Sequence, residues 1–326
     1  MGFGIKLGSI NYLKGQWKPW LPLTVALAVI GISMSDRKRQ KNKRRISLQE
    51  IKKSNRFYIP NVNAYNTLNN IYYVTELAKS SLVEIRTNLI ASNDYHIKID
   101  FPDATGKLKK SKKRKSRTVK VLKNAIRYDL YANSLISAVA ATEGFIERVV
   151  RISLLIDPRR LAHPIKKQSK KAKLSLPEIE VKIDDTSVPL RSVLDANSIE
   201  SVYEVIINDK LMKLMYASPN DYFGYLKNAL DIDISDNLVS QYIEIKATRD
   251  LLTHNQGYIN DVYFYKVGDD ARATKTNQRI PLPSEYFGSS IGIMKKIVTA
   301  IYQEASKVYL GVIDQKQLYP KKTKYS

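Results

Sequence analysis

The sequence predicts an all-α protein, and three observations support this. Apolar residues recur every three or four positions through most segments between residues 61 and 310, as in helices that bury one face. Pro, Gly, Ser and Asp stand where these segments begin and end. Strand-like alternation is confined to short stretches, so we expect a helical bundle with an N-terminal helical extension, basic inserted loops and a small hairpin.

The first part of the chain contains two predicted helices and one extended stretch. Ser47 and Glu50 form a capping-box pattern before a short helix. A longer helix over residues 61–91 is predicted from its apolar stripe, which consists of Leu68, Ile71, Leu82, Ile85 and Leu89. Residues 96–101 alternate as a strand or an extended edge, closed by Pro102 and Gly106. We interpret the lysine-rich residues 107–120 as a loop between helices.

A second long helix is predicted at about residues 118–156, ending before Asp157-Pro158. Its stripe consists of Ile136, Val139, Glu143, Ile146, Val150 and Leu154. Because an unpaired buried carboxylate is costly, Glu143 must be paired, half exposed or at a cleft. Residues 164–189 form a basic connection with a short strand at 179–183.

Four more segments complete the prediction. Helices are expected at 192–207, at 219–230 and from Ser235 or Asp236 to the residues before Gly257, a candidate left-handed C-terminal residue. Residues 262–281 are irregular or form a hairpin. A last helix at 291–310 has the apolar stripe Ile291, Met294, Ile297, Ile301, Ala305 and Val308.

The composition excludes several classes of site. The 326 residues contain no Cys and three His, which excludes a disulfide framework, a Cys-based zinc site and a thiol nucleophile. We expect no cofactor and no bound metal, because a multi-histidine site would have to gather three distant residues.

The net charge of +23 is concentrated in three runs. Residues 36–45 contribute +6, residues 107–120 contribute +9 and residues 166–173 contribute +5, which leaves +3 for the rest. Such runs are either solvated loops or contacts to phosphates that do not depend on base sequence. The candidate RNA-binding residues are Lys109, Lys110, Lys112, Lys113, Arg114, Lys115, Lys166, Lys167, Lys170 and Lys171.

The N-terminal segment has two interpretations. Residues 20–34 are uncharged and precede the first basic run, but a membrane-spanning helix needs about 20 apolar residues. Residues 17–45 therefore either act as a single membrane anchor, with the basic run on the cytoplasmic side, or pack on protein. The protein is expected to be cytoplasmic, either free or anchored to the inner face of the cell membrane. We divide the chain into residues 1–45, a helical extension at 46–120, a helical domain at 121–312 and a basic tail at 313–326.

The strongest local signal for chemistry is a group of polar residues on the helix before Gly257. Asp250 and His254 are four residues apart, so the carboxylate could orient the imidazole. Arg249 lies five residues before His254, about 140° around the helix and ~7.5 Å along it. An arginine can bind a phosphate while a histidine transfers a proton, which is what phosphodiester cleavage without a metal requires.

These residues resemble the signature of the HEPN superfamily (higher eukaryotes and prokaryotes nucleotide-binding domain), in which Arg and a polar residue precede His near the end of a late helix. The match consists of Arg249-Asp250-Leu251-Leu252-Thr253-His254 and the continuation Asn255-Gln256-Gly257. Residues 138–149 resemble the early HEPN helix, which often carries an acid at a position like Glu143. The resemblance covers roughly residues 133–310.

The resemblance implies a HEPN-like helical bundle that acts as a metal-independent endoribonuclease. Two copies would form one composite site at a homodimer interface and leave a 2′,3′-cyclic phosphate. Arg249 would bind the scissile phosphate, His254 would be the general acid or base, Asp250 would orient it and Glu143 would hold Arg249 by a salt bridge. A toxin or anti-phage role, with an antitoxin or sensor partner, would follow.

Two other functions compete with this interpretation. One is a catalytically inactive HEPN module that binds RNA or a protein partner. This module would be either tethered to the membrane by the N-terminal segment or free of it. The other is a membrane-anchored polybasic protein in which the Arg/His pair is incidental. Arg159, Arg160 and His163 mimic the motif only loosely, because Pro158 and Pro164 bracket them.

Overall fold

The computed structural model describes residues 56–163 and 198–311. These residues are mostly helical, with one two-stranded hairpin, so the predicted all-α class is confirmed. The apolar N-terminal segment, the Ser47–Glu50 helix, the third basic run, the strand at 179–183 and the C-terminal tail lie outside the described residues. Within them, no helix is both long and apolar enough to cross a bilayer.

The chain forms two compact units. The described part of the first unit is residues 86–121, and that of the second is residues 56–85, 122–163 and 198–311. This division differs from the predicted boundary at residue 120, because most of helix α1 (Tyr58–Ala91), residues 58–85, belongs to the second unit. Phe57, Ala64 and Leu68 are buried in the core of that unit.

The first unit contains an antiparallel hairpin of β1 (His96–Pro102) and β2 (Leu108–Arg114). Its turn is fixed by Asp103, whose Oδ1 accepts hydrogen bonds from the backbone N–H groups of Thr105 (2.9 Å) and Lys107 (3.1 Å). Helix α2 (Lys115–Asn124) follows β2 directly. The prediction of a loop over residues 107–120 is therefore wrong, because most of this lysine run pairs with β1 or continues as helix.

Helix α3 (Leu130–Ile156) is the central element of the second unit. It follows α2 through a short π-helical segment, Ala125–Asp129, so residues 115–156 are helical without interruption. The predicted stripe faces the core, since Val139, Ile146, Val150 and Leu154 are fully buried. A short 3₁₀ helix, Pro158–Ala162, begins after Asp157, where the sequence predicted the α-helix to end.

Five more helices complete the described part of the second unit. They are α4 (Ile199–Met215), α5 (Pro219–Leu230), α6 (Asp236–His254), α7 (Asp261–Val267) and α8 (Ser284–Leu310). Helix α8 packs along α3, and both α4 and α6 also contact α3. Helix α5 begins with a capping box between Ser218 and Asp221 and with Pro219 at its first position, which explains its predictable start.

The prediction for residues 262–281 is correct only in part. Most of α7 and a 3₁₀ turn at Gly268–Asp270 occupy the first part, residues 271–281 are irregular, and the hairpin alternative is wrong because only Tyr258 and Arg279 form an isolated bridge. The predicted helix at 61–91 is present as α1, but its apolar stripe is not buried over its full length. Leu68 is buried, whereas Ile85 is 45% exposed.

Candidate functional site

Helix α6 carries the residues of the predicted site. Its apolar side chains Tyr242, Ile245 and Leu251 are buried, and this fixes the rotation of the helix about its axis. The side chains of Arg249 and Asp250 are then about one-fifth exposed, whereas His254 at the last position is exposed. Three of the predicted site residues, Arg249, Asp250 and His254, therefore lie near the C-terminal end of α6 with part of each side chain exposed.

Glu143 on α3 connects the two helices through a pair of cations from α6. Arg249 Nη2 lies 2.6 Å from Glu143 Oε2, and Lys246 Nζ is bonded to Oε1. Glu143 is half-buried and paired, as its position in an apolar stripe predicted. The predicted Glu143–Arg249 ion pair is therefore present. Lys246 is a second partner that the sequence did not indicate.

Two tyrosines flank this ionic cluster. Tyr222 and Tyr242 are fully buried, and neither hydroxyl makes a hydrogen bond of good geometry within the described residues. Lys246 Nζ lies 5.2 Å from the centroid of the Tyr222 ring. Burial, with a further contribution from the neighbouring Glu143 charge, raises the pKa of both phenols above the usual value. Both side chains are therefore neutral at physiological pH.

Asp250 does not orient His254 as the resemblance implied. Its carboxylate is paired with Arg249 Nη1 at 3.1 Å and with Lys266 Nζ of α7 at 2.9 Å. No hydrogen bond joins Asp250 to His254 in the part of the chain that the structure describes. Four-residue spacing permits such a contact, but two permanent cations are stronger partners for a carboxylate than an imidazole.

His254 and Asp250 nevertheless line one cavity of about 310 Å³ between α6 and α7. Asn255, Asn260 and Lys266 add polar groups to its wall. The remaining lining residues are Ala247, Leu251, Val262 and Tyr263. Arg249 is not among them, because its guanidinium is directed to Glu143. The structure thus brings Arg249, Asp250 and Glu143 together and leaves His254 separate at the cavity.

The segment after His254 is held by a tight turn. The backbone N–H groups of Asn255 and Gly257 both donate to Leu251 O at 2.9 Å, and Gly257 has a φ of +80°. The prediction of a left-handed residue at Gly257 is confirmed, and Gln256 before it is also left-handed. Asn255 Nδ2 also donates to Tyr258 O at 2.6 Å, so the backbone beside the imidazole is well fixed.

We predict that Gly257→Ala destabilises this turn strongly. A Cβ atom there would lie 2.2 Å from the Tyr128 hydroxyl, and the left-handed backbone adds its own cost. We expect a loss of about 2–4 kcal/mol in the free energy of unfolding, measured by urea denaturation. Gly311→Ala is the matched control, because Gly311 at the C-terminal end of α8 is also left-handed, with φ 63° and ψ 21°, but has open space around it. Equal losses in both variants would contradict the steric argument.

A buried carboxylate on α6, Glu244, escaped the sequence analysis. Its Oε1 accepts hydrogen bonds from Thr248 Oγ1 (2.8 Å), Tyr263 OH (2.9 Å) and Arg272 Nε (2.8 Å). Its Oε2 accepts one from Tyr286 OH at 2.8 Å. Burial raises the pKa of Tyr263 to about 12, and the Glu244 charge adds to this effect. Four-residue helical spacing relates Glu244 to Thr248 alone among these partners. The sequence therefore gave no indication that Tyr263, Arg272 and Tyr286 would contact it.

The described lysines of the candidate RNA-binding set do not form one surface. Lys109 pairs with Asp103 at 2.9 Å, and Lys113 Nζ lies 4.8 Å from the Phe101 ring centroid. Lys115 donates to the carbonyls of Ile90 and Ser92, at 3.1 and 2.6 Å. Lys110, Lys112 and Arg114 lie on the opposite face of the hairpin from Lys109 and Lys113. Lys166, Lys167, Lys170 and Lys171 lie outside the described residues.

The loose copy of the motif near residue 160 has a structural role. Arg160 donates to Ala229 O at 2.8 Å and to Asp231 at 2.7 Å, and so closes the C-terminal end of α5. His163 is exposed at the end of the 3₁₀ helix. Arg160 therefore joins the 3₁₀ helix to the C-terminal end of α5.

Comparison with protein-family models, with curated proteins and with solved structures gave no match. Among residues 56–163 and 198–311, no group of three or more His, Asp or Glu side chains is placed to hold a metal ion.

Proposed function

We propose that this protein is a metal-independent endoribonuclease of the HEPN type. The observation that supports the proposal is the position of His254. Its exposed imidazole lines the cavity at the C-terminal end of α6. Five residues earlier on the same helix, Arg249 is held by Glu143. A titratable group with access to solvent and a permanent cation on the same rigid helix are the two elements that acid–base cleavage of RNA needs.

In the proposed reaction, a base removes the proton from a ribose 2′-hydroxyl, and the resulting oxygen attacks the adjacent phosphorus. The bond from phosphorus to the 5′-oxygen breaks, an acid protonates that oxygen, and a 2′,3′-cyclic phosphate remains. Arg249 would stabilise the negative charge that develops on the phosphoryl oxygens. Its ion pair with Glu143 would limit the loss of side-chain entropy when it binds the phosphate.

The reaction requires one group to accept a proton and another to donate one, whereas a protomer presents one such histidine at this site. A second copy of the chain would supply the second imidazole. Exposed apolar side chains adjoin the cavity and favour such a partner. Val262 lines the cavity and is 56% exposed, Tyr265 lies one turn further along α7 and is 60% exposed, and Tyr258 is 46% exposed.

The biological setting remains part of the same proposal. We include in it a toxin or anti-phage role and an antitoxin or sensor partner, which rest on the family resemblance. We also include a cytoplasmic location with residues 17–45 as a membrane contact, which rests on the sequence of the N-terminal segment.

The decisive test is cleavage of RNA by the purified protein in the presence of EDTA. We expect cleavage to persist, to yield 2′,3′-cyclic phosphate ends and to be lost in both Arg249→Ala and His254→Ala, since no step uses a metal. Activity that EDTA abolishes would exclude the metal-independent mechanism. Activity that survives both substitutions would exclude this site.

A second candidate function is a non-enzymatic HEPN module that binds RNA or a protein. It is favoured by the position of Arg249, which is paired with both Glu143 and Asp250 and does not line the His254 cavity. Such an arginine could serve only to join α3 and α6. RNA binding without cleavage, in a protein that forms a stable dimer, would favour this candidate.

A further inference from the structure

The hairpin of the first unit separates its charged residues between two faces. In its register, Lys98 is opposite Lys112, Asp100 is opposite Lys110 and His96 is opposite Arg114. These residues project to one side, while Ile97, Ile99, Phe101, Lys109, Ser111 and Lys113 project to the other. We define the basic face as the four cations Lys98, Lys110, Lys112 and Arg114.

The cations of the two faces differ in their partners. On the opposite face, Lys109 is paired with Asp103, and Lys113 lies over the Phe101 ring. Hydrogen bonds from Thr105 and from Lys109 lower the pKa of Asp103 to about 2, so its carboxylate remains charged for Lys109 at any physiological pH. By contrast, all four side chains of the basic face are exposed, and they make no ion pair or side-chain hydrogen bond within the described residues.

The charges of the basic face are not balanced within the hairpin. Like charges directly opposite each other, as in the Lys98–Lys112 pair, are destabilising in a sheet. Asp100 provides one negative charge for four positive ones and does not form an ion pair with Lys110. A surface that sets like charges opposite each other and has one carboxylate for four cations is suited to an external anion.

The spacing of the charges identifies the kind of anion. Lys110, Lys112 and Arg114 occupy alternate positions of β2, so their Cα atoms are about 6.8 Å apart in a straight row. Such a row fits a polymer with regularly repeated negative charges, and each strand of a nucleic acid carries one phosphate per ~3.4 Å of helix rise. Aromatic side chains are not part of the basic face, so contacts to phosphate rather than base stacking would hold the ligand.

We propose that the basic face of the hairpin is a binding site for the phosphodiester backbone of RNA. The site is separate in sequence from Arg249 and His254, and it does not depend on whether the protein cleaves RNA. It would raise the local concentration of RNA without selecting a base sequence. Lys109, Lys113 and Lys115 do not belong to it, although they lie in the same lysine run.

The test compares two double substitutions on the same strand. Lys110→Gln/Lys112→Gln alters the basic face, and Lys109→Gln/Lys113→Gln removes the same charge from the other face. Binding to a fluorescent 20-nucleotide RNA is measured by anisotropy at several salt concentrations, with the full-length protein carrying His254→Ala so that cleavage cannot interfere. We expect the basic-face pair to weaken binding about tenfold and to reduce the log–log salt slope by about 1.4, at ~0.7 per lost phosphate contact. The control pair is expected to change binding less than threefold.

Equal effects of the two pairs would overturn the proposal, because they would indicate a response to net charge alone. No effect of the basic-face pair would also overturn it. Two further ligands test the choice of RNA. Tight binding to duplex DNA or to anionic phospholipid vesicles, weakened by the same pair while RNA binds poorly, would assign the face to another polyanion. Cleavage is scored separately with His254 intact, so failure of this site and failure of the proposed ribonuclease can be distinguished.

Discussion

Replacing His254 with alanine is expected to lower the rate of RNA cleavage at least ~100-fold. A positioned general acid or base contributes about 10²–10⁴-fold to a rate, and in a composite dimer one substitution removes the group from both copies. The stability of the protein should change by no more than about 0.5 kcal/mol, because the side chain is exposed at a helix end. The measurement is the single-turnover cleavage rate at saturating RNA, together with a urea denaturation curve.

His163→Ala is the matched control for this experiment. His163 is likewise exposed at the end of a helical segment and follows two arginines, Arg159 and Arg160. The hydrogen bond that Lys210 donates to the backbone carbonyl of His163 does not involve the imidazole, so the substitution leaves that contact in place. Cleavage by this variant should match that of the unmodified protein. A His254→Ala rate within threefold of the unmodified rate would show that His254 is not the catalytic group.

Replacing Glu244 with alanine is expected to reduce the free energy of unfolding by about 3–5 kcal/mol. The substitution leaves the half-buried Arg272 guanidinium without its carboxylate partner and removes the acceptor of the Thr248, Tyr263 and Tyr286 hydroxyls. Removing one partner of a largely buried ion pair costs about this much, because the remaining charge and hydroxyls stay partly desolvated without an acceptor. Arg272 also stacks at 3.4 Å on the Tyr286 ring, so the loss would extend to the contact between α6 and α8.

Glu204→Ala provides the comparison for Glu244→Ala. Glu204 is also a glutamate within a helix, α4, but its side chain is exposed. We expect a change of no more than about 0.5 kcal/mol there. The free energy of unfolding of both variants is measured by guanidinium chloride denaturation. If the two variants lost similar amounts of stability, the network around Glu244 could not be the link between α6, α8 and the segment that carries Arg272.

The sequence was most informative where structure depends on local signals. The predicted bounds of α5 at 219–230 match the structure because Ser218, Pro219 and Asp221 define its start within four residues. The end of α6 at His254 was predictable for a similar reason, since Gly257 supplies a left-handed residue in the turn that follows. The stripe on α3 also faces the core as predicted, because helical periodicity is a property of one segment.

Pairing between distant segments could not be predicted in the same way. Residues 108–114 contain six polar or charged residues and no alternation that indicates a strand, yet they pair with β1 over seven positions. The register, which decides which lysines share a face, is set by the partner strand and by the Asp103 turn. The same limit applies to Glu244, whose partners Arg272 and Tyr286 are 28 and 42 residues away.

The sequence by itself determined the helical class, the ends of several helices, the concentration of charge in three runs and the placement of Arg249 and His254 on one helix, because each of these follows from residues near one another in the chain. The tertiary structure alone decided which charges are paired. It directed Arg249 and Lys246 to Glu143, directed Asp250 to Lys266 instead of His254, and left Lys110, Lys112 and Arg114 without partners among the described residues. A carboxylate binds the strongest cations that the fold brings within reach, and that choice is made in space and not along the chain.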